Sequence, residues 1–144
     1  MKLLGIAVFV VAASALTMAD GVPTSVTYVP HDKTASTFVK GGQIIGDKGL
    51  VMLANRRGAG EVEVHEKTNH IFIIMEGEAT IVTGGTLVGA RQTAPGQTRA
   101  TSVEGGTTYH LSKGDVITVP AKTPHWFKDV PTKTIAYYAI NLEP

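Results

Sequence analysis

The sequence predicts an all-β fold, an antiparallel sandwich or barrel, and two observations support that prediction. Short segments of β-branched or alternating apolar residues recur along the chain, and turn signals that contain Gly or Pro separate them. No long segment shows the apolar period of a helix. Many short strands at this spacing are typical of sandwiches and barrels.

Each expected strand is an apolar or alternating segment bounded by turn residues such as GGQ, GDKG, RRGAG, TGG or KGD. In the first half of the chain the strands cover 24–29, 36–40, 50–55, 61–65 and 71–76. In the second half they cover 79–84, 86–90, 107–111, 115–120, 125–130 and 134–142. The segment 89–106 is the least regular, and we interpret it as a long hairpin loop or excursion.

The first residues have the pattern of a secretory signal. Lys2 provides a short positive region, 3–15 are apolar, and small residues precede Asp20. We therefore expect a signal peptide at 1–19 and a single domain at 20–144, in the periplasm or outside the cell, with no stable membrane insertion after cleavage. Cleavage after Ala15 and an uncleaved membrane anchor are the alternatives, although the apolar stretch is slightly short for a span.

Charge and cysteine content exclude several classes. The chain has 13 Lys and Arg against 12 Asp and Glu, and removal of Lys2 with the signal leaves a net charge of zero. Because there is also no basic run, a nucleic-acid partner is not expected. The absence of Cys excludes disulfides and a lipidated cysteine anchor. About 125 residues after the signal can bury a self-sufficient core.

The stretch VHEKTNHIFIIMEGE, at 64–78, is a near match to the zinc-protease signature H-E-x-x-H, but its second His comes one residue late. The signature needs its two His four residues apart on one helical face. His65 and His70 are five apart, which would separate them by about 140° around a helix. The flanks EVEV and IFIIM have strand composition, and KTN is turn-like. We therefore expect a strand, a turn and a second strand, with both His near the turn.

Three His lie at the ends of expected strands: His65, His70 and His125. Side chains alternate along a strand, so Glu63 points to the same face as His65. An ionised carboxylate that faces inward needs a partner or a cation. Three imidazoles and one carboxylate that converge in a barrel form a ligand set for a first-row transition metal.

The stretch from Glu63 to Gly77 resembles the first motif of the cupin family. That motif has two His with one residue between them, then a Glu, then six residues and a Gly. Here Glu63 stands in place of the first His, His65 matches the second, and His70 stands in place of the family Glu. Two residue types have therefore exchanged places, while the inventory of three His and one Glu is kept.

The stretch GDVITVPAKTPHWFKD resembles the second cupin motif more closely. Gly114 is followed by five residues and Pro120, and His125 matches the metal-binding His of the family. Two positions depart from the motif: Lys122 replaces a Gly, and Asp129 replaces the trailing Asn.

The resemblance implies a cupin-type double-stranded β-helix, a jelly-roll barrel of two antiparallel sheets with a metal between them, and a homodimer. The implied cofactor is one divalent transition metal ion, Mn, Fe, Zn, Ni or Cu, since all of these accept His and carboxylate. The implied ligands are His65, His70, His125 and Glu63. Glu63 can instead act as a catalytic base or pair with Arg56 or Arg57.

Apolar and aromatic residues near the motifs are expected to wall the pocket, and an arginine is expected at its mouth to hold an anionic substrate. These residues are Phe72, Ile74, Trp126, Phe127, Tyr137 and Arg56. The plain alternative is that the apolar ones form core and that adjacent arginines are exposed. Glu66 is expected to face solvent, while His31 and His110 are expected at the surface or in a supporting position.

The resulting hypothesis is an exported, metal-dependent enzyme that acts on a small carbonyl, phenolic or enol compound. Dioxygenase-type chemistry and Lewis-acid isomerase or lyase chemistry both fit. The first alternative is a binding protein for a small ligand or a metal, with a coordinatively closed metal site. The second is a partner-binding β-sandwich whose His cluster is empty.

Overall fold

The computed structural model describes residue 23 and residues 25–143, so the predicted signal peptide at 1–19 lies outside the described residues. The elements are α1 (His31–Lys40), β1 (Gly42–Asp47), β2 (Leu50–Arg57), β3 (Val62–His65), β4 (Asn69–Glu76), β5 (Ala79–Thr83), β6 (Thr86–Val88), β7 (Arg91–Ala94), β8 (Gln97–Ala100), β9 (Ser102–Glu104), β10 (Thr107–Leu111), β11 (Val116–Val119), β12 (His125–Asp129) and β13 (Ile135–Leu142).

Most strands belong to two antiparallel sheets, which confirms the predicted all-β class. The first sheet has the order β1-β2-β13-β4-β11, and the second has the order β10-β5-β12-β3-β8-β7. A small third sheet pairs β6 with β9. Strands β3 and β4 follow each other in the chain but lie in different sheets. The turn between them therefore carries the first motif from one sheet to the other.

The core lies between the two large sheets and follows the alternation of the strands. On β4, His70, Phe72 and Ile74 are buried while the residues between them are partly exposed. Ile81 and Ile135 are fully buried in the same apolar cluster. Complete burial of an aliphatic side chain of this size contributes roughly 1.5–3 kcal/mol. The inward face of β4 thus joins the core directly to the His-containing end of the barrel.

The strands predicted at 24–29 and 36–40 were wrong where the structure describes these residues. Residues 25–29 form no strand, and 36–40 are the second half of helix α1. The helix begins after Pro30, carries Asp32 in its first turn and Lys40 in its last, and ends at Gly41. No residue of α1 is buried, and only Ala35, Phe38 and Val39 of its ten residues are apolar, so the sequence gives a weak helical signal.

The interpretation of 89–106 as a loop was also incomplete, because the segment contains β7, β8 and β9. Every residue of β7 is exposed, so this strand lacks the apolar alternation by which strands are identified. Its partner β8 joins β3 in the second large sheet. Strand β1 was missed for a related reason, since its glycines were interpreted as turn signals. Among the described residues, no helix combines the length and apolar character needed to span a membrane.

Candidate metal centre

Three strands bring the predicted His residues to one point. His65 ends β3, His70 is the second residue of β4, and His125 begins β12. Their ring centroids are 4.9, 5.0 and 5.3 Å apart, and one potential ligand nitrogen from each ring lies within 4.8 Å of the others. His65 and His125 come from the second sheet and His70 comes from the first, so the cluster spans the space between the sheets.

Each of the three rings has its Nδ1 against an oxygen atom. His70 Nδ1 donates to the side-chain oxygen of Asn141 at 2.8 Å, and His125 Nδ1 donates to the carbonyl oxygen of Thr123 at 3.1 Å. His65 Nδ1 contacts the side-chain oxygen of Gln97. An Nδ1 that donates leaves Nε2 as the unprotonated acceptor.

The Nε2 atom of His70 is such an unprotonated acceptor. It is buried, and it has no hydrogen-bond partner among the described residues. An unsatisfied buried acceptor is costly, and ligation to a cation removes that cost. Histidines that bind metals in proteins commonly have this arrangement, with Nδ1 held by an oxygen and Nε2 on the ion.

Burial keeps two of these imidazoles neutral. Burial lowers the pKa of His125 to about 4, and the hydrogen bond to Thr123 only partly opposes that shift. Burial also lowers the pKa of His70, against the hydrogen bond with Asn141. Neutral imidazole is the form that ligates a metal, so both rings are ready for ligation at neutral pH.

Glu63 lies on β3 beside the cluster. One of its carboxylate oxygens faces the His side chains, and the other faces two arginines. Its Oε2 lies 3.6 Å from Nε2 of His65 and 3.8 Å from Nε2 of His125. Its Oε1 accepts a hydrogen bond from Arg57 at 2.9 Å and pairs with Arg99. Burial by itself raises the pKa of Glu63, but His65 and the two guanidinium groups outweigh burial and hold that pKa well below its usual range. Glu63 is therefore ionised at neutral pH.

A cavity of about 210 Å³ adjoins the cluster. Its lining residues are Leu53, Asn55, Arg57, Glu63, His65, His70, Phe72, His125, Phe127, Tyr137, Ala139 and Asn141. The lining includes three of the aromatic residues expected from sequence, Phe72, Phe127 and Tyr137. Their ring centroids lie 5.0–6.0 Å apart, so they form one continuous aromatic wall.

The other three residues expected in the pocket lie outside its lining. Arg56 pairs with Glu76 at 2.7 Å on the outer face, since alternation along β2 turns Arg57 inward instead. Trp126 lies between the inward residues of β12, and its Nε1 donates to the carbonyl oxygen of Gly60 at 2.6 Å. Ile74 points inward but is 1% exposed within the core, beyond the end of the cavity.

Three residues that contact the His side chains or Glu63 were missed from sequence. Asn141 shares the inward face of β13 with Tyr137, so alternation along that strand was a usable signal. Gln97 and Arg99 lie on β8, inside the segment interpreted as a loop, where no strand pattern placed them. The exposed residues Glu66, His31 and His110 lie away from the cluster, as expected.

The backbone conformation at Lys122 shows why the cupin motif has a Gly at this position. Its φ is 66°, in the left-handed region that glycine adopts most readily. Its backbone N–H donates to the carbonyl oxygen of His65 at 2.7 Å, which ties the turn before β12 to the end of β3. The backbone conformation at this position is thus the one that a glycine would favour, and the lysine adopts it at some cost in strain.

Comparisons with known proteins bear on the family and the fold. Residues 47–143 match the family model described as Cupin. A candidate mannose-6-phosphate isomerase from Ralstonia eutropha is 15% identical, with a TM-score of 0.51 over 72% of this chain and 83% of that one. The iron(II) form of HppE is 19% identical, with a TM-score of 0.52 over 71% of this chain and 50% of that one.

A third similar structure is an uncharacterised protein from Klebsiella pneumoniae with a double-stranded β-helix domain. It is 13% identical, with a TM-score of 0.50 over 70% of this chain and 73% of that one. No curated protein sequence matches this chain. At these identities the similar structures bear on the fold alone, and the predicted jelly-roll class is confirmed.

Proposed function

The chain belongs to the cupin family, and on that premise we propose that it binds one divalent transition metal ion through His65, His70 and His125. Bound there, the ion supplies Lewis acidity, or redox chemistry where it is Mn, Fe, Ni or Cu. Three protein ligands leave coordination positions open for a small organic molecule beside the aromatic wall of the cavity. The reaction we propose is of the dioxygenase type or of the isomerase or lyase type.

One observation carries this proposal: a ring nitrogen of each His lies within 4.8 Å of the others, and an oxygen lies against each Nδ1. A cluster of merely structural histidines would satisfy both nitrogens of each ring with protein groups. Here the buried Nε2 of His70 lacks a hydrogen-bond partner among the described residues. The donor set, neutral imidazole beside a carboxylate, suits Mn, Fe, Zn, Ni and Cu.

The residues around the cluster have distinct tasks in this proposal. Gln97, Asn141 and the carbonyl of Thr123 orient the three rings. Glu63 supplies negative charge next to the centre. A carboxylate whose pKa is held far below the working pH is a weak proton acceptor, so Glu63 fits a ligand or orienting role better than that of a general base.

The first experiment is metal analysis of the chain from residue 20, purified without added metal and then titrated with Mn, Fe, Zn, Ni and Cu. We expect about one equivalent to bind and to raise the melting temperature. A double variant, His65→Ala with His125→Ala, should lose both effects. His110→Ala is the matched control, because His110 is exposed and contacts Thr80 away from the cluster. Absence of binding and of stabilisation with all five ions would refute the proposal.

A second candidate is a non-catalytic protein with a closed metal site. The position of Glu63 favours it, because Oε2 lies near two of the three Nε2 atoms and is placed to act as a fourth ligand. Four protein ligands in a tetrahedron are typical of structural zinc. The visible spectrum of the cobalt-substituted protein separates the candidates, since tetrahedral cobalt absorbs strongly and octahedral cobalt weakly. A strong spectrum that weakens in Glu63→Gln would favour the closed site.

We also propose that the protein is exported and acts as a homodimer. Support for export is the Lys2 and 3–15 pattern that precedes small residues. Determining the amino terminus of the protein from the cell envelope and the medium tests export, with a start at Asp20 expected. Light scattering on the mature chain tests the dimer, and a monomeric mass at working concentration would refute it.

A further inference from the structure

The cavity beside the His cluster has two chemically different ends. Asn141, Ala139 and Tyr137 alternate inward along β13 and line the cavity at successive levels. Residues two apart on a strand are separated by about 6.6 Å, so Asn141 and Tyr137 mark levels about 13 Å apart. Asn141 holds His70 at one level. At the other level Tyr137 stacks on Phe127, whose ring lies 5.3 Å from the guanidinium carbon of Arg57.

The charges at the Arg57 end do not cancel. Glu63 is the carboxylate partner of both Arg57 and Arg99. These two arginines and one carboxylate together carry one positive charge, before any metal ion adds to it. A partly buried surplus charge favours a ligand of opposite sign. The hydrogen bond to Glu63 uses one of the five N–H donors of Arg57.

Tyr137 adds a neutral donor at the same end. The residue is 3% exposed, and burial raises the pKa of its phenol, so the O–H stays protonated. A buried tyrosine hydroxyl generally finds a hydrogen-bond partner. A guanidinium beside a phenol is a pair of donors suited to a carboxylate, which accepts several hydrogen bonds at once.

The size and the walls of the cavity restrict the rest of the ligand. A volume of about 210 Å³ corresponds to roughly seven water molecules of liquid, and it is below the range of sites for drug-sized ligands. Phe72, Phe127 and Tyr137 form one wall, and Leu53 and Ala139 contribute aliphatic surface. A single planar ring fits such a space, whereas a sugar phosphate or a polar peptide would leave many polar groups without partners.

We propose that the cavity binds a small aromatic monocarboxylate, with its carboxylate on Arg57 and Tyr137 and its ring against the aromatic wall. The proposal rests on the proposed function, because it names the substrate class of the same site. It can be tested separately, however, because the carboxylate site needs no metal ion.

The test compares benzoate with neutral benzamide on the metal-free protein, by calorimetry or ligand-observed NMR. We expect benzoate to bind at least tenfold more tightly. Tyr137→Phe should weaken benzoate binding about tenfold or more, because it removes a hydrogen bond to a charged group. Tyr138→Phe is the matched control: Tyr138 is next on the same strand and packs on Phe38, and this variant should bind benzoate like the wild type.

Three outcomes would overturn the proposal: equal affinity for benzoate and benzamide, equal behaviour of the two tyrosine variants, or benzoate binding only after metal is added. The last outcome would place the carboxylate on the ion instead of on Arg57 and Tyr137. Arg57→Lys provides a second variant that keeps the charge, and it should weaken benzoate binding because the planar donor pair is lost. The metal content of Tyr137→Phe distinguishes failure of this proposal from failure of the proposed metal binding. This variant should bind one equivalent of metal whether or not it binds benzoate.

Discussion

Replacement of Glu63 by Gln tests how strongly the buried carboxylate stabilises the fold. The variant keeps the size of the side chain and removes its charge. The Glu63 side chain is 16% exposed, and those of Arg57 and Arg99 are 29% and 33% exposed. A hydrogen bond to a charged group contributes about 1.5–3 kcal/mol, and Gln retains one acceptor for one of the two arginines. After a discount for the partial exposure of both arginines, we expect a loss of about 1–2 kcal/mol.

Urea unfolding of the metal-free protein at pH 7 measures this loss, together with thermal unfolding. The matched control is Glu61→Gln, at the residue just before β3. Glu61 makes two good hydrogen bonds to Arg91, at 2.8 and 2.7 Å, but both side chains are about half exposed. Exposed ion pairs stabilise proteins little even when their geometry is good, so the melting temperature of this control should hardly change. Equal losses in the two variants would refute the reasoning, because burial is what distinguishes the pairs.

The pH dependence of the Glu63→Gln effect tests independently whether folding lowers the pKa of Glu63. Ion pairing and hydrogen bonding hold the pKa of Glu63 in the folded protein below its ordinary value of about 4.5 in the unfolded chain. The unfolded chain therefore takes up a proton first as the pH falls, and stability decreases below about pH 4.5. The difference in stability between wild type and Glu63→Gln should be full above that pH and should shrink below it. A difference that grows on acidification would contradict the assignment.

Three further predictions address the turn, the buried imidazole and the ring-orienting amide. Gly77→Ala should cost clearly more stability than Gly84→Ala in urea unfolding. Both glycines have positive φ, where an alanine costs roughly 1–2 kcal/mol. A Cβ at Gly77 would also clash with the backbone oxygen of Thr134, whereas one at Gly84 would meet nothing within 4 Å. Equal costs would show that the contact relaxes freely. The metal-free protein should lose up to about 3 kcal/mol between pH 6.5 and 4, because the unfolded chain protonates His125 before the folded protein does; a flat profile would contradict the low pKa. Gln97→Leu should weaken metal binding about 10–100-fold, whereas Leu at the exposed Gln92 should not. Unchanged affinity in the Gln97 variant would show that this amide does not orient the ring.

Local alternation made much of the site predictable. The period of two placed Glu63 and His65 on one face, and the turn-like KTN placed His70 at the start of the next strand. The inward direction of Phe72 followed from the same rule. Because these relations span few residues, neither the pairing of the strands nor their order in the sheets was needed to predict them.

The site residues that the sequence did not predict depend either on long-range contacts between strands or on which of two adjacent residues faces inward. Asn141 meets His70 across 71 residues, and Gln97 meets His65 across 32, so no local pattern relates them. The choice of Arg56 instead of Arg57 is an error of one residue, which reverses the face of a strand.

The His cluster also joins the two sheets, and this has a consequence for the stability and lifetime of the protein. His65 and His125 belong to one sheet and His70 to the other, in a chain without cysteine. A bound ion would therefore cross-link the sheets in place of a disulfide. Ligand that binds only the native state adds about 2.7 kcal/mol at a hundredfold excess over its dissociation constant. The lifetime of this protein among proteases should then rise and fall with the supply of metal, so that its abundance reports metal availability.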